Sequence, residues 1–401
     1  SMDAKGNPVI FTNGDNDTFP LWYNQETEGV RTDARVCNLS YLQTDWYIDQ
    51  MRRPAYDSPS LPISWTRLQY VTGTREGIPV QPDALQQVID YYKDSPEDLK
   101  QMLGDNPYEL KNIIRHWVLN DNPDLQIFPT DSIVVTVDKE AVKRSGMMIA
   151  ADSIPDVMHI SLKGKRAIYK SEMMMLEMIS QANWERPLYM STTVGPDNYG
   201  HLGDNFVQEG LACRITPFDT KQSGRTIDSE RMYNNMMNKF KYGGLKENPD
   251  IYLDETVIRM CYTHRRLFNQ LAQQLLKEGQ KDKALKVLQR AEEEIPGSIV
   301  PHEAFYGHSL ELADAWLALG HKAEAEKLLN AVGQNAKEYI EWYLSLNTQR
   351  LLQSSRECLM QIYILNDIAK TWEPIDKKKA ETYRMEVNNY ASRCHQRGMS
   401  L

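Results

Sequence analysis

Polar side chains that could bind a cation or a sugar follow the first apolar segment of the chain. Asn13, Asp15 and Asp17 come directly after a short apolar run that predicts a buried strand. Their carboxylate and carboxamide oxygens could hold a divalent cation or accept hydrogen bonds from sugar hydroxyls. The alternative is that Asp17 or Thr18 caps a helix that begins at Pro20. Both roles are compatible, because one carboxylate can cap while its neighbour faces a crevice.

The spacing of these residues excludes one calcium motif and departs from one enzymatic motif. An EF-hand loop needs glycine at its sixth position and glutamate at its twelfth, where this chain has Thr18 and Asn24. Haloacid-dehalogenase-type phosphatases also carry two aspartates after a strand, but here three residues separate the apolar run from Asp15. Phe19 also stands where that family has a small or hydroxyl residue. We expect no metal site and no cofactor, and a phosphatase or hydrolase centred on Asp15 and Asp17 remains an alternative.

Aromatic residues accompany the same predicted sheet edge. A second apolar run at 34–39 predicts another strand, and a helix begins near Asp45. Trp22, Asp45 and Trp46 lie close to these two strand ends and are candidate ligand-binding residues. Aromatic faces beside carboxylates suit carbohydrate recognition, because apolar sugar faces stack on rings while hydroxyls need acceptors. The alternative for these aromatic residues is plain packing of helices on the sheet.

A third polar segment follows the predicted strand 187–193. The loop 195–201 contains Asn198 and His201, which we predict to face the same crevice as Asp15. Glu185–Arg186 precedes that strand, where stabilisation of the chain turn is the alternative to a chemical role. The chain has no HExxH, GxSxG or P-loop motif and therefore shows no complete catalytic constellation.

Composition restricts the class of protein. Of the 401 residues 41% are apolar and 25% charged, as in ordinary globular proteins of two or three domains. The net charge of −9 argues against nucleic acid as a partner. The five cysteines lack metal-binding spacing, although one disulfide is compatible with a periplasmic location. No apolar run is long enough to span a membrane, and Ser1-Met2 is typical of cloning residues, so we expect any membrane spans in a preceding segment.

The alternation of strands and helices predicts an α/β domain followed by a helical one. We place the α/β domain at 1–243, with a mainly parallel sheet, helices on both of its faces and an irregular, partly helical insertion at about 54–125. The segments 157–162 and 166–169 flank a glycine turn and predict a hairpin. Residues 250–401 contain no convincing strand and predict an all-helical domain.

Small and apolar residues in the second domain resemble tetratricopeptide repeats. Gly279 and Gly320 stand at the turns of two helix pairs, 41 residues apart, and an insertion at about 299–306 accounts for the excess over the standard repeat. Further helices are predicted from 339 to 352, from 355 to 372 and from 377 to 396. We expect the alanines of each pair to lie between its helices. These alanines are Ala272, Ala284, Ala291, Ala313 and Ala325.

The blocks 13–53, 183–189 and 195–199 together resemble the soluble tail of a family of large bacterial membrane proteins of unknown function. The membrane half of those proteins is similar to protein O-mannosyltransferases and other GT-C type glycosyltransferases. The resemblance covers nearly the whole chain, and it implies that the catalytic carboxylates lie in the membrane half, which this sequence lacks.

The resemblance implies a non-catalytic module on the periplasmic side of the inner membrane. Its partners would be its own transmembrane half and a protein or glycan acceptor. A purely structural scaffold is a third interpretation of the chain, beside the binding module and the autonomous enzyme.

Overall fold

The computed structural model describes residues 1–2, 6–148 and 154–399, apart from the side chains at positions 200 and 201. The chain forms two compact units, Ser1–Asp228 and Ser229–Leu401. Sequence analysis placed the division between 243 and 250. The contacts place it earlier because the helix Ser229–Asn234 packs on the long helix at the start of the second unit.

Most strands are short, and helices or irregular segments connect them. The strands of the described residues are β1 (Val9–Thr12), β2 (Arg35–Asn38), β3 (Gly77–Pro79), β4 (Ser132–Thr136), β5 (Val157–Ser161), β6 (Ala167–Tyr169), β7 (Leu188–Ser191), β8 (Phe206–Gln208) and β9 (Ala212–Ile215). The α-helices of the first unit are α1 (Asp15–Glu28), α2 (Asp45–Met51), α3 (Arg67–Tyr70), α4 (Ala84–Tyr91), α5 (Pro96–Leu103), α6 (Leu110–Ile113), α7 (Lys139–Arg144), α8 (Lys170–Gln181) and α9 (Thr220–Ser223). Those of the second unit are α10 (Ser229–Asn234), α11 (Glu255–Lys277), α12 (Lys281–Glu294), α13 (Ser309–Ala318), α14 (Lys322–Ser345), α15 (Thr348–Gln353), α16 (Ser355–Trp372) and α17 (Lys377–Gln396).

The main sheet of the first unit is mixed, so the prediction of a mainly parallel sheet was wrong. Its strand order is β2-β1-β7-β9-β8. Strand β1 pairs in parallel with β2 and β7, whereas β9 pairs antiparallel with β7 and with β8. Strands β8 and β9 are antiparallel because only residues 209–211 connect them, and so short a connection permits only an antiparallel pair.

Four strands pair outside the main sheet, and the predicted hairpin between 157–162 and 166–169 was also wrong. Strand β5 pairs with β4, and β6 pairs with β3, both antiparallel. The turn itself forms, because Lys165 donates its N–H to the carbonyl of Leu162 at 3.0 Å. The two strands nevertheless separate after it, since the buried residues of β5 face those of β4 in register.

The insertion shares the core of the sheet. Trp65 and Tyr70 from this region are fully buried, in one hydrophobic cluster with Phe11 of β1. The methionine-rich helix α8 belongs to the same cluster, with Met174 and Met178 fully buried. The methionine stripe therefore fills the core, where flexible side chains adapt to irregular gaps.

The outer edges of the main sheet are occupied by other parts of the chain. Along β2, the hydroxyl of Tyr47 accepts the Asn38 N–H at 3.0 Å and donates to the Val36 carbonyl at 3.4 Å. Along β8, Gln208 donates its N–H to the Thr226 carbonyl at 2.8 Å and accepts one from Asp228 at 3.0 Å. Backbone groups that a further strand would need are thus already used.

The second unit consists of helices that pack in consecutive pairs, α11 with α12, α13 with α14, and α16 with α17. The turns of the first two pairs contain Gly279 at φ +75° and Gly320 at φ +83°, conformations that glycine adopts without strain. The alanines predicted to lie between helices are all buried. The predicted helix 339–352 was wrong in its bounds, because α14 runs through to Ser345 and α15 is separate.

The described structure contains no disulfide, and two of its five cysteines are neighbours. Cys358 of α16 and Cys394 of α17 are fully buried, with their Sγ atoms 3.9 Å apart. Among the described residues no helix is both long enough and apolar enough to cross a membrane.

Candidate functional site

The ends of β1, β2 and β7 meet at one edge of the main sheet, because the three strands are parallel neighbours. The hydroxyl of Thr193, which follows β7, donates to Asp17 Oδ2 at 2.8 Å. The hydroxyl of Ser40, which follows β2, donates to the carbonyl of Asn13 at 2.7 Å. We call the residues joined in this way the strand-end cluster. They are Thr12, Asn13, Asp17, Thr18, Asn38, Ser40 and Thr193.

Asp17 stabilises the start of α1. Its carboxylate accepts the backbone N–H groups of Gly14 at 2.9 Å and Asn13 at 3.2 Å. The prediction that the helix begins at Pro20 was wrong, since it begins at Asp15 and Pro20 lies inside it. Gly14 adopts an extended conformation and serves as the N-cap, and the carboxylate of Asp17, the third residue of the helix, reaches back to it. A negative charge here also interacts favourably with the helix dipole.

Behind Asp17 lies a buried network of hydroxyl and carboxamide groups. Thr18 Oγ1 is 2.7 Å from Thr12 Oγ1 and accepts a hydrogen bond from Asn38 Nδ2 at 2.8 Å. Asn38 Oδ1 in turn accepts the N–H of Tyr41 at 3.0 Å. Thr18 also donates to Asp17 Oδ1 at 3.4 Å. The hydrogen-bonding groups of the cluster are thus used mostly within it, which favours a structural role.

Asp15 differs from Asp17. It is exposed at the first position of α1 and makes no side-chain hydrogen bond within the described part of the chain. The two aspartates that the sequence presented as a pair therefore have separate environments, and only Asp15 is free to meet a ligand.

A row of aromatic rings runs from α1 to α2 beside the cluster. The centroids of Phe19 and Trp22 are 5.6 Å apart, those of Trp22 and Tyr41 6.3 Å, and those of Tyr41 and Trp46 6.0 Å. The inner rings Trp22 and Tyr41 cover one another, whereas Phe19 and Trp46 at the ends are 45% and 50% exposed. We call these four residues the aromatic row. Its ends present the open faces that apolar ligand surfaces require.

Asp45, also a predicted site residue, supports a neighbouring loop. Its Oδ2 accepts the backbone N–H of Thr72 at 3.3 Å and lies 3.9 Å from Arg67 Nη2. The hydrogen bond from Thr72 is the main reason that the pKa of Asp45 is lowered, and the charge of Arg67 acts in the same direction. Trp46, next along α2, remains free to contact a ligand.

The loop after β7 reaches the cluster through a residue that sequence reasoning missed. Thr193 contacts Asp17, whereas the Asn198 amide donates only to the carbonyl of Gly195, at 3.4 Å. The backbone of His201 lies in the 3-10 helix Gly200–Asn205, and its side chain lies outside the described residues. The available signal was the run Ser191-Thr192-Thr193 at the carboxyl end of a strand.

A pocket of about 540 Å³ lies along the outer side of β2, between α1, α2 and the chain that follows α2. We call it the β2-edge pocket. Its lining includes Trp22, Glu26, Arg35, Gln50, Arg53 and Tyr56. Sequence analysis missed this pocket, although an arginine at the start of an apolar strand was a visible signal.

Arg35 is buried without a carboxylate. It is 7% exposed, its Nη2 donates to the Gln50 carbonyl at 2.7 Å, and its Nη1 has no partner among the described residues. Burial lowers the pKa of Arg35. Burial, and then the charge of Arg35, also lowers the pKa of Arg186 to about 10. The positive charge of Arg35 is therefore felt by a second arginine, and no ion pair to a carboxylate neutralises Arg35 in the described structure.

Arg186 itself fulfils the predicted stabilisation of the chain turn. Its Nε donates to the Asn7 carbonyl and its Nη1 to the Ser60 carbonyl, both at 2.7 Å. Its Nη2 donates a further hydrogen bond to Ser58 Oγ at 3.1 Å. The side chain thus ties the start of β7 to the segments before β1 and after α2, and it contacts no candidate catalytic group in the described structure.

Another cavity, of about 710 Å³, is lined by β5 and the segments around Asp204 and Asp219. Two of its three acidic residues have structural partners, since Asp156 pairs with Lys139 at 2.7 Å and Asp219 accepts the N–H of Gln222 at 2.8 Å. Across the described residues no group of three or more histidine, cysteine, aspartate or glutamate side chains is arranged to hold a metal ion.

Residues 1–235 match the protein family described as TMEM260-associated domain 2. This range covers the strand-end cluster, the aromatic row and the β2-edge pocket. No curated protein matches the chain, and no solved structure matches it either.

Proposed function

Since the chain belongs to the TMEM260-associated domain 2 family, we propose that it is a non-catalytic binding module of a larger membrane-associated protein. In this proposal the module lies on the periplasmic side of the inner membrane and the larger protein resembles protein O-mannosyltransferases. The module binds the glycan acceptor, or the glycan of an acceptor protein, through the aromatic row.

The observation that carries the proposal is the contrast between Asp17 and the ring ends beside it. Asp17 accepts hydrogen bonds from two backbone N–H groups and from Thr193, so its lone pairs serve the fold. Phe19 and Trp46 remain half exposed in the same region. Rings with open faces next to hydroxyl and carboxylate acceptors bind sugars without the paired free carboxylates that glycoside hydrolysis needs.

The second unit supports an additional part of the proposal, a tetratricopeptide-like array that contacts partner proteins. Helix pairs with glycine turns and buried alanines are typical of such repeats. The segment between α12 and α13 is fixed by Arg265, which donates to the carbonyls of Ile295, Val300 and Pro301 at 2.8–3.0 Å. A rigid surface of this kind suits partner binding.

The test is calorimetry of the whole chain with a panel of neutral oligosaccharides and extended peptides. We expect Trp46→Ala and Phe19→Ala to weaken oligosaccharide binding at least about tenfold. Tyr91→Ala is the matched control, because Tyr91 is an exposed aromatic residue on α4, outside the aromatic row. Absence of binding to every oligosaccharide, or equal loss in all three variants, would contradict the proposal.

The autonomous phosphatase or hydrolase remains the alternative, and the exposed Asp15 is the observation that favours it. A screen against phosphate esters and glycosides, with and without magnesium, separates the two functions. We expect no turnover and no sugar transfer by the chain alone. Turnover that disappears in Asp15→Asn would favour the enzyme.

A further inference from the structure

The β2-edge pocket contains an uncompensated positive charge. Arg35 lines it and is more than nine-tenths buried, yet one of its terminal nitrogens has no partner among the described residues. At the rim, the guanidinium of Arg53 is exposed and makes no ion pair in the described structure. A buried charge without a counterion is costly, and an anion that enters the pocket would reduce this cost.

The carboxylate in the pocket lining does not neutralise either arginine. Glu26 interacts with the hydroxyl of Tyr56, which raises the pKa of that tyrosine. No ion pair joins Glu26 to Arg35 or Arg53 within the described residues. The carboxylate of the lining thus interacts with a tyrosine and leaves both arginines without a counterion in the described structure, while the walls, Trp22 and Tyr56, offer flat apolar surfaces.

The pocket is continuous with the aromatic row, because Trp22 belongs to both. Its volume of 540 Å³ lies in the ~300–1,000 Å³ range of small-ligand sites. A ligand on the row would therefore extend one of its residues towards Arg35. Guanidinium groups recognise carboxylates and phosphates through paired hydrogen bonds.

We propose that the β2-edge pocket binds the anionic group, a carboxylate or a phosphate, of a sugar residue in the glycan held by the aromatic row. This inference rests on the proposed function and adds the charge of the ligand to it. Arg35 supplies the buried cation, Arg53 the cation at the entrance, and Trp22 the surface against which the sugar ring lies.

The experiment compares charged and neutral forms of the same saccharide on the full chain. One pair of probes is tri-galacturonate and its fully methyl-esterified, neutral form. The other pair is mannose 6-phosphate and neutral mannose. We expect at least one charged probe to bind about tenfold or more tightly than its neutral match, and salt to weaken only the charged form. Preference for the uronate or for the phosphate identifies the source of the charge.

Two arginine variants test the residues. Arg53→Gln, at an exposed position, should fold normally and lose most of the preference for the charged form, and Arg35→Met should abolish it. Trp46→Ala should weaken both forms equally. Equal affinity for charged and neutral forms would overturn this inference and leave the proposed function intact, whereas no saccharide binding would remove both. If a hexaglutamate peptide bound more tightly than both charged saccharides, the inference that the pocket binds a sugar would be wrong.

A second, independent observation concerns the buried pair Cys358 and Cys394. Their Sγ atoms, 3.9 Å apart, are roughly 2 Å beyond the bond length of a disulfide. We infer that these two cysteines form a disulfide between α16 and α17 when the chain folds in an oxidising compartment. The two thiols lose two protons and two electrons, and the disulfide of a protein oxidant is reduced to two thiols by exchange.

Burial determines when this bond forms. Both thiols are fully buried, and burial raises the pKa of Cys394 and raises that of Cys358 to about 12, so an oxidant has little access to a thiolate in the folded unit. The exchange must therefore occur before the two helices pack, and the packed helices then protect the bond.

The test refolds the full chain from urea with oxidised or reduced glutathione and maps its peptides by mass spectrometry without reduction. We expect a cross-linked peptide pair containing Cys358 and Cys394, with Cys37, Cys213 and Cys261 open to alkylation. The oxidised form should melt several degrees higher, and the double variant Cys358→Ala, Cys394→Ala should lose this dependence on redox state. Full alkylation of Cys358 and Cys394 in the oxidised sample would overturn the inference.

Discussion

The strand-end cluster and the β2-edge pocket both include residues of helix α1, but they use polar groups in opposite ways. In the cluster, Asp17, Thr18 and Asn38 bond mainly to one another and to the backbone. In the pocket, Arg35 is buried with an unpaired nitrogen and no carboxylate. The conspicuous sequence motif therefore stabilises the fold, and the inconspicuous arginine has the capacity to bind. Buried polar groups in native proteins are normally hydrogen-bonded, so the unpartnered nitrogen of Arg35 is the exception that requires an explanation.

The largest effect expected from this comparison is on the buried amide of the cluster. Asn38→Leu leaves the Tyr41 N–H without its acceptor and removes a donor to Thr18, and should lower the free energy of unfolding by about 2–3 kcal/mol. Urea unfolding measures this loss. Asn198→Leu is the control and should change stability by no more than about 0.5 kcal/mol, because the Asn198 amide makes one long hydrogen bond. Equal losses of stability in Asn38→Leu and Asn198→Leu would contradict the structural role of the strand-end cluster.

The two aspartates of the motif should separate in the same assay. Asp17→Asn weakens a charged cap that accepts two backbone N–H groups and should cost about 1–2 kcal/mol. Asp15→Asn, at an exposed position without a hydrogen bond, should stay within about 0.5 kcal/mol of the natural chain. A reversed order would indicate that Asp15, not Asp17, holds the start of α1.

Replacing the buried arginine should have a smaller effect, of the opposite sign. Arg35→Met removes an uncompensated buried charge. The carbonyl of Gln50 loses the guanidinium but still accepts the backbone N–H of Arg53. The free energy of unfolding should therefore rise by up to about 1 kcal/mol. Arg186→Met is the matched comparison, because it removes hydrogen bonds to three segments and should cost about 2 kcal/mol. A large loss in Arg35→Met would mean that the pocket, like the cluster, is structural.

The smallest effect concerns acid stability at Asp45. The pKa of Asp45 is lowered in the folded chain, mainly by the Thr72 N–H. The folded-state pKa therefore lies below the unfolded one, so the stabilisation is present above the unfolded pKa near 4 and is lost as pH falls through the folded pKa. Asp45→Asn removes this contribution, so the stability of the variant should fall less steeply as the pH decreases below about pH 4. Acid unfolding followed by circular dichroism measures the difference. An unchanged acid transition would show that Thr72 does not favour the ionised form.

Local sequence patterns predicted the helices and strands. The features that were missed depend on contacts between segments that are separated in sequence. The apolar runs of β1 and β2 and the periodicity of α16 and α17 led to accurate bounds. The glycine turn at 163–165 predicted a hairpin, but β5 pairs with β4, which is remote from that turn. Thr193 and Arg35 were missed for the same reason, since their environments depend on segments far away in sequence.

The closed edges of the main sheet have a consequence for behaviour at high concentration. Exposed strand edges recruit further chains into extended sheets and fibres. Tyr47 of α2, which bonds to β2, and the segment 226–228, which bonds to β8, block this route on both sides. Tyr47→Phe would uncover the polar groups of β2 while it retains the ring. We expect that variant to scatter more light on storage, because the phenolic oxygen is the group that covers the polar groups of the β2 edge.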